Sequence, residues 1–280
     1  MNMKKYFFLT INSFIIVANA FSQKVELRFS GGYGFAKGAA PLSDYDKTYS
    51  SSGSQSTVSI SNTNDKYTSL GQGIRFEGGM IYYLEEHIGI FIQSGYSNGN
   101  ENAKMTYTSS FYDYADIKSA HFRCISALAG LHFYIPEGIL KPYGGVGAGF
   151  FFMNNLTITD DFKGLSHVEQ ESKYTANTPV GYCGYLGFNF DLGSSVALFA
   201  EAKATLVSFY ISKIELTKYV VDGKDQLGSM NIRDKITVFE ENQNYTRITP
   251  GDENLPTYGG APLSSGANSI SVVIGISIRL

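Results

Sequence analysis

The residues of this 280-residue chain that could do chemistry are few and scattered. His87, His121, His132 and His167 fall on a turn, a strand end, a strand and a loop, with no His-x-x-x-His spacing and no Ser/His/acid grouping. Cys124 and Cys183 lie in separate predicted strands without a metal-ligand spacing, and read as buried thiols, with a disulfide in an oxidising envelope as the alternative. Asp160-Asp161 and Asp252-Glu253 are carboxylate pairs of the kind that touch divalent cations, but their surroundings have loop composition, where carboxylates are simply solvated. Asn155-Leu-Thr and Asn244-Tyr-Thr match a glycosylation triplet that is frequent by chance. The run Gly144-Gly-Val-Gly-Ala-Gly149 suggests a phosphate loop, yet it lacks the GxGxxG spacing, and Phe150-Phe151-Phe152 continues a strand where a helix should open. The sequence therefore predicts no catalytic residue, no cofactor site and no metal site.

A more coherent group is electrostatic. Glu26, Arg28, Arg75, Glu77, Glu201, Lys203 and Arg279 each interrupt an apolar alternation, and each shares parity with the small residues of its own strand. If those strands close into a barrel, these side chains point inward. Eight strands enclose a space just wide enough to be filled by side chains. Charges of both signs in such a space should pair, because an unpaired buried charge is costly. The predicted role is a satisfied polar core, with a narrow, gated solute path as the functional alternative.

The elements that would position this network are β-strands. Asn268 to Leu280 sets Ile270, Val272, Ile274, Ile276, Ile278 and Leu280 on one face and Ser271, Val273, Gly275, Ser277 and Arg279 on the other. This period of two exceeds the roughly 9–11 residues that a tilted strand needs to cross a bilayer. Similar alternation predicts strands at 24–35, 71–84, 88–96, 120–135, 141–152, 179–192 and 196–209. Their connections alternate strictly between long (36–70, 97–119, 153–178, 210–267) and short (Glu85-Glu86-His87, Pro136-Glu137-Gly138, Gly193-Ser194-Ser195). Short periplasmic turns and long extracellular loops are the habit of outer-membrane barrels, and a soluble sandwich has no reason to sort its loops this way. The expected fold is all-β: a transmembrane, antiparallel, up-and-down barrel of eight strands spanning 21–280.

Composition agrees. Twenty Tyr, 20 Phe and 30 Gly against 7 Pro suit strands and tight turns. Residues 1–20 read as a signal peptide, with Lys4 and Lys5, an apolar core from Tyr6 to Val17, and Ala18-Asn19-Ala20. Its removal takes the formal charge from −3 to −5, which argues against a nucleic-acid partner.

The stretch Leu128-Ala-Gly-Leu-His-Phe-Tyr134, a turn, and Pro142-Tyr-Gly-Gly-Val-Gly-Ala-Gly149 resembles the outer-membrane β-barrel domain ("porin family") proteins, akin to the opacity proteins, OmpX and the OmpA transmembrane domain. The resemblance implies a monomer in the outer membrane of a Gram-negative bacterium, placed by the outer-membrane assembly machinery and in contact with lipid and lipopolysaccharide. Aromatic girdles are expected at Tyr82, Tyr83, Tyr134 and Tyr143 on the periplasmic rim and at Tyr33, Phe35, Tyr96, Phe151, Phe209 and Tyr210 on the outer rim. The expected role is non-enzymatic: structure, or adhesion and ligand binding through the extracellular loops to a host or surface ligand. A narrow porin is the alternative, and a lipid-modifying enzyme a third.

Within 210–267, Ile211–Val221 and Ser229–Glu240 are rich in β-branched residues, with turn signals at Asp222-Gly223 and Leu227-Gly228. Lys213, Glu215, Lys218, Arg233, Asp234 and Lys235 keep these segments out of lipid. The seventh strand is thus expected to run on beyond the membrane into a hairpin with an exposed edge.

Overall fold

The computed structural model describes residues 25–36, 71–108, 113–239, 255–259 and 263–280. The expected signal peptide, nearly all of the 36–70 connection, Asn244 and Asp252-Glu253 lie outside these residues.

Eight strands close on themselves: β1 (Val25–Ala36), β2 (Gly73–Tyr83), β3 (Ile88–Thr108), β4 (Asp113–Tyr134), β5 (Leu140–Lys163), β7 (Val180–Asp191), β8 (Val196–Leu206) and β14 (Ser269–Arg279). Each pairs antiparallel with its two neighbours, and β14 returns to β1 with Ile276 opposite Phe29. Closure removes every edge over this height, so the ladder satisfies the backbone without help from solvent. The outward side chains are apolar and bare. Phe29, Phe76, Ile92, Val146, Leu186, Phe188, Leu198 and Ile274 are 40–73% exposed. A continuous apolar belt of this kind is suited to hydrocarbon, not to water.

The remaining strands explain why the sheet holds more than eight. β6 (His167–Ala176) and β7 run in the same direction, and both pair with β5: Leu156–Lys163 with β6, Leu140–Phe150 with β7. They form one long strand interrupted at 177–179. β8 continues likewise as β9 (Ser208–Val221), interrupted at Val207, whose N–H donates to the Asn268 side-chain carbonyl at 2.9 Å. Above the apolar belt, the upper parts of β3, β4 and β5, with β6 and β9, make a wall that rises from one side of the barrel. About ten residues of β3 stand above Asn98, on the order of 33 Å at the usual strand rise.

The structure corrects several sequence expectations here. The seventh strand runs on beyond the belt as β9, as expected, but residues 97–119 and 153–178, expected as loops, hold the tops of β3, β4 and β5 and all of β6. They lack an apolar alternation because, above the belt, neither face meets lipid. The hairpin at Asp222-Gly223 is present, with φ of 49° and 76°, and leads into β10 (Lys224–Asp225). β9 is not a free edge, however, although among the described residues 216–219 have no strand partner on its second side. β6 pairs with one side, and β10, β11 (Ile236–Phe239) and β13 (Leu263–Gly266) pair with the other; β12 (Thr257–Gly259) lies outermost, beside β11. Part of Ser229–Glu240 is a helical turn, Ile232–Lys235.

Candidate functional site

The lumen is filled from end to end, and its contents fall into tiers. At the end bearing the short turns, Arg279 donates to Asp191 (2.9 Å) and to the Tyr134 hydroxyl (3.3 Å), and Lys141 donates to the other Asp191 oxygen (2.6 Å). Glu26, fully buried, accepts from the Tyr83 hydroxyl at 2.9 Å and lies 3.6 Å from Arg279 and 3.5 Å from Arg28. One tier further in, Arg28 meets Glu201 at 3.5 Å and is stacked on Phe199 (3.8 Å) and Tyr143 (4.3 Å), while the Tyr143 hydroxyl donates to Glu201 at 3.2 Å. Lys203 then donates to Glu77 (2.8 Å) and Gln93 (2.7 Å), and Gln93 donates back to Glu77 (2.8 Å), closing a three-membered ring. The last tier is Arg75, which donates to the Thr205 and Ser269 hydroxyls and to the Gly71 carbonyl.

The seven charged residues expected to form one network therefore divide. Glu26, Arg28, Glu201 and Arg279 are linked, Glu77 and Lys203 pair apart from them, and Arg75 contacts no carboxylate among the described residues. Buried pairs of this kind are most costly when halved, since the partner left behind is a desolvated charge.

Aromatic rings fill the space between the charges. The His132 ring meets Tyr83, Tyr134, Tyr143 and Tyr185 at 5.4–6.5 Å between centroids, and its Nδ1 is hydrogen-bonded to the Tyr185 hydroxyl at 2.9 Å. The glycine run of β5 exists to admit these rings. A Cβ on Gly145 would stand 2.4 Å from the Tyr185 ring, and one on Gly147 would stand 2.6 Å from Phe91. Above Arg75 the bore is closed by Phe122, Phe151, Val207 and Phe209, all buried, with Phe122 and Phe209 edge to face at 5.8 Å.

This placement corrects part of the expected girdles. Tyr33, Phe35, Tyr96 and Tyr210 are exposed on the outside, and Tyr82 is half-buried there. Tyr83, Tyr134, Tyr143, Phe151 and Phe209 are instead interior residues. Nearness to a strand end suggested a girdle for them, but parity turns them inward. Gln93, His132, Lys141, Asp191, Tyr185 and Phe199 escaped the sequence reading. For four of them a signal was present: Lys141, Tyr185 and Asp191 share parity with Tyr143, Gly187 and Asn189 on strands whose inner face is small or polar, and Phe199 shares parity with Glu201 and Lys203.

In the wall, a small apolar core of Ala120, Phe122, Leu156, Ile158, Phe209 and Ile211 is buried where β4, β5 and β9 curve together. Its surface carries paired charges: Lys218 with Glu169 at 2.5 Å, Lys213 with Glu215 at 2.7 Å, and His167 with Asp161 at 2.6 Å. The hydrogen bond from His167 holds the Asp161 carboxyl below its ordinary range, and that from Lys218 does the same for Glu169. His87 is hydrogen-bonded to the Tyr134 carbonyl at 3.1 Å, and His121 accepts from Arg123 at 3.1 Å, so each histidine sits in a different setting. Among the described residues no group of three His, Cys, Asp or Glu is arranged to hold a metal ion, and Cys124 and Cys183 are free and buried.

No protein-family model and no curated protein matches the sequence. Among solved structures, the outer membrane protein OprG from Pseudomonas aeruginosa is similar over 92% of this chain and 96% of its own, at 11% identity and a TM-score of 0.43. Ail, the attachment invasion locus protein of Yersinia pestis, is similar over 92% of this chain and 99% of its own, at 9% identity and a TM-score of 0.35. Ail in complex with the heparin analogue sucrose octasulfate gives 11% identity and a TM-score of 0.33.

Proposed function

We propose that this chain is an integral outer-membrane barrel of a Gram-negative bacterium that acts without catalysis, as an anchor presenting its wall to ligands or neighbouring surfaces. The observation that carries this reading is the contrast between bore and wall. The bore is plugged by ion pairs, aromatic rings and an apolar cap, while a polar wall of paired strands stands above the apolar belt. Lipid covers the belt, lipopolysaccharide surrounds the rim marked by Tyr33, Phe35, Tyr96 and Tyr210, and the barrel works as a monomer. The alternative of a narrow porin requires these plugs to move together.

Two measurements decide between them. In planar bilayers the purified barrel should give no steady conductance; reproducible open levels would establish the porin reading. On cells, β3–β4 cut back to Asn98 and Arg123, and β5–β6 cut back to Phe152 and Thr178, should abolish binding to glycan and matrix-protein arrays while the barrel still assembles. Binding that survives both truncations would defeat the surface-interaction reading. Acyl release from lipopolysaccharide by the intact protein would defeat the non-enzymatic one.

A further inference from the structure

The lumen charges do not balance, and the imbalance has an address. Among the described residues the interior holds Arg28, Arg75, Lys141, Lys203 and Arg279 against Glu26, Glu77, Asp191 and Glu201, an excess of one positive charge. Every cation but Arg75 has a carboxylate within 3.6 Å. Arg75 is only 7% exposed, and its three hydrogen bonds all go to neutral oxygens. A guanidinium has five N–H donors, so two are left over. One is Nε, which has no partner and lies against Gly34 of β1, where a Cβ would approach it to 2.7 Å. The other is the second hydrogen of Nη1, the nitrogen that reaches Thr205.

Arg75 borders a cavity of ≈ 20 Å³, together with Ser97, Cys124, Ser126, Lys203 and Thr205, the last being the residue that Nη1 reaches. The space suffices for one small particle, since a water needs roughly 10–15 Å³ on the same measure. Glu77 also borders it, but both its oxygens are engaged, one by Lys203 and the other by Gln93. The apolar cap of Phe122, Phe151, Val207 and Phe209 forms its upper side. A water there would satisfy hydrogen bonds and leave the charge. A desolvated cation without a paired counter-charge is expensive, and apart from the Glu77 carboxylate, already paired with Lys203, the polar groups around the cavity can donate: a guanidinium, an ammonium and hydroxyls.

We propose that the upper lumen holds one small monovalent anion, chloride in size, between Arg75 and the hydroxyls of Ser97, Ser126 and Thr205. Phosphate, sulfate and organic carboxylates are too large for the space. The cap above makes this a structural ion held within the folded barrel. The site depends on the barrel interior alone, and holds whether or not the wall binds anything.

Refolding the full chain with bromide as the only halide allows a direct test by anomalous scattering from crystals. A bromide peak within hydrogen-bond distance of Arg75 is expected; a peak elsewhere, or a cavity holding water alone, would overturn the proposal. In solution, the urea midpoint of the vesicle-inserted barrel should rise with chloride when ionic strength is kept constant with gluconate, as for a single site that binds only the folded state. Arg75→Gln should make that dependence vanish. Should Arg75→Gln fail to fold, Ser126→Val, which removes one hydroxyl and fills the space, provides the second variant. Its midpoint should be flat in chloride, and a response equal to wild type would reject the site.

Discussion

The barrel body and the wall are made of the same strands, yet they are held by different physics. In the body, one face of every strand meets lipid and the other meets a packed polar interior. Along β8, exposed Leu198, Ala200 and Ala202 alternate with buried Phe199, Glu201 and Lys203. Above Tyr96, Phe152 and Leu206 this contrast ends. Arg123, Thr217 and Lys218 face outward into water, and only a small patch inside is apolar. The body is thus stabilised by charge pairing that tolerates no missing partner, and the wall by ordinary hydrophobic burial. The predictions that follow test this contrast.

The largest effect is expected from halving a pair in the body. Lys203→Met leaves Glu77 buried, with Gln93 its one remaining hydrogen-bond donor among the described residues, and should cost about 3–5 kcal/mol. The double variant Lys203→Met/Glu77→Gln should cost less than that single change. Urea titrations of barrels folded into lipid vesicles measure both. Equal losses would mean that pairing is not what holds the body.

A change of comparable chemistry in the wall should behave differently. Leu156 is fully buried at the junction of β4, β5 and β6, and Leu156→Ala should cost about 2–5 kcal/mol locally. The wall rests on the body but is not part of its closure. Limited proteolysis should therefore cut β6 and β9 in this variant while the protected barrel core remains. Loss of the barrel at the same denaturant concentration as the wall would show a single cooperative unit and remove the distinction.

The same contrast explains what could be read from the sequence. Within the apolar belt the strands are legible almost to the residue: alternation over Asn268–Leu280 and Val196–Phe209 corresponds to β14 and to β8 with the start of β9. Charges declare their face by parity, because an apolar strand gives them only one side to go to. Uncharged aromatics do not. Tyr83, Tyr134 and Tyr143 are as hydrophobic as girdle residues; only counting from the charges of β2 turns Tyr83 inward and only Lys141 does so for Tyr143, while the lower part of β4 gives no such mark for Tyr134. Of the wall strands, β9 was legible from its β-branched residues and the Asp222-Gly223 turn, but β6 was not. Where most of a strand's side chains meet water, pairing with a neighbour suffices, and no sustained periodic pattern is required of the sequence.

A cation scan draws the boundary between the two regions. Ile274 is 65% exposed within the apolar belt, and Ile274→Arg should cost about 2–4 kcal/mol if it lies near the bilayer midplane. Thr217, exposed on β9, should accept Arg within about 0.5 kcal/mol, the usual range for surface changes. Vesicle-folding titrations compare them directly. A similar loss at both positions would place β9 in lipid and make the wall part of the membrane span.

The smallest effect is acidification, and it should touch the wall's surface. Asp161 is held below its ordinary range first by the hydrogen bond from His167 and then by Lys163, and Glu169 first by that from Lys218. A carboxylate whose folded pKa is depressed contributes stability that is complete above its unfolded value and is lost as pH falls through the folded one. With unfolded values near about 4, the loss should begin there and grow downward. Because these groups are largely exposed, solvent screening keeps their contribution slight. The β5–β6 hairpin and its seam with β9 should therefore loosen below about pH 4, while the amides of β1 and β14, far from these residues, keep their protection. Hydrogen exchange at pH 6 and pH 3, each corrected for intrinsic exchange rates, reads both regions in one experiment. Asp161→Asn should shrink the pH response of β6, since the substituted group no longer titrates. An unchanged β6 between the two pH values, or an identical response in Asp161→Asn, would show that these surface pairs contribute nothing to holding the wall.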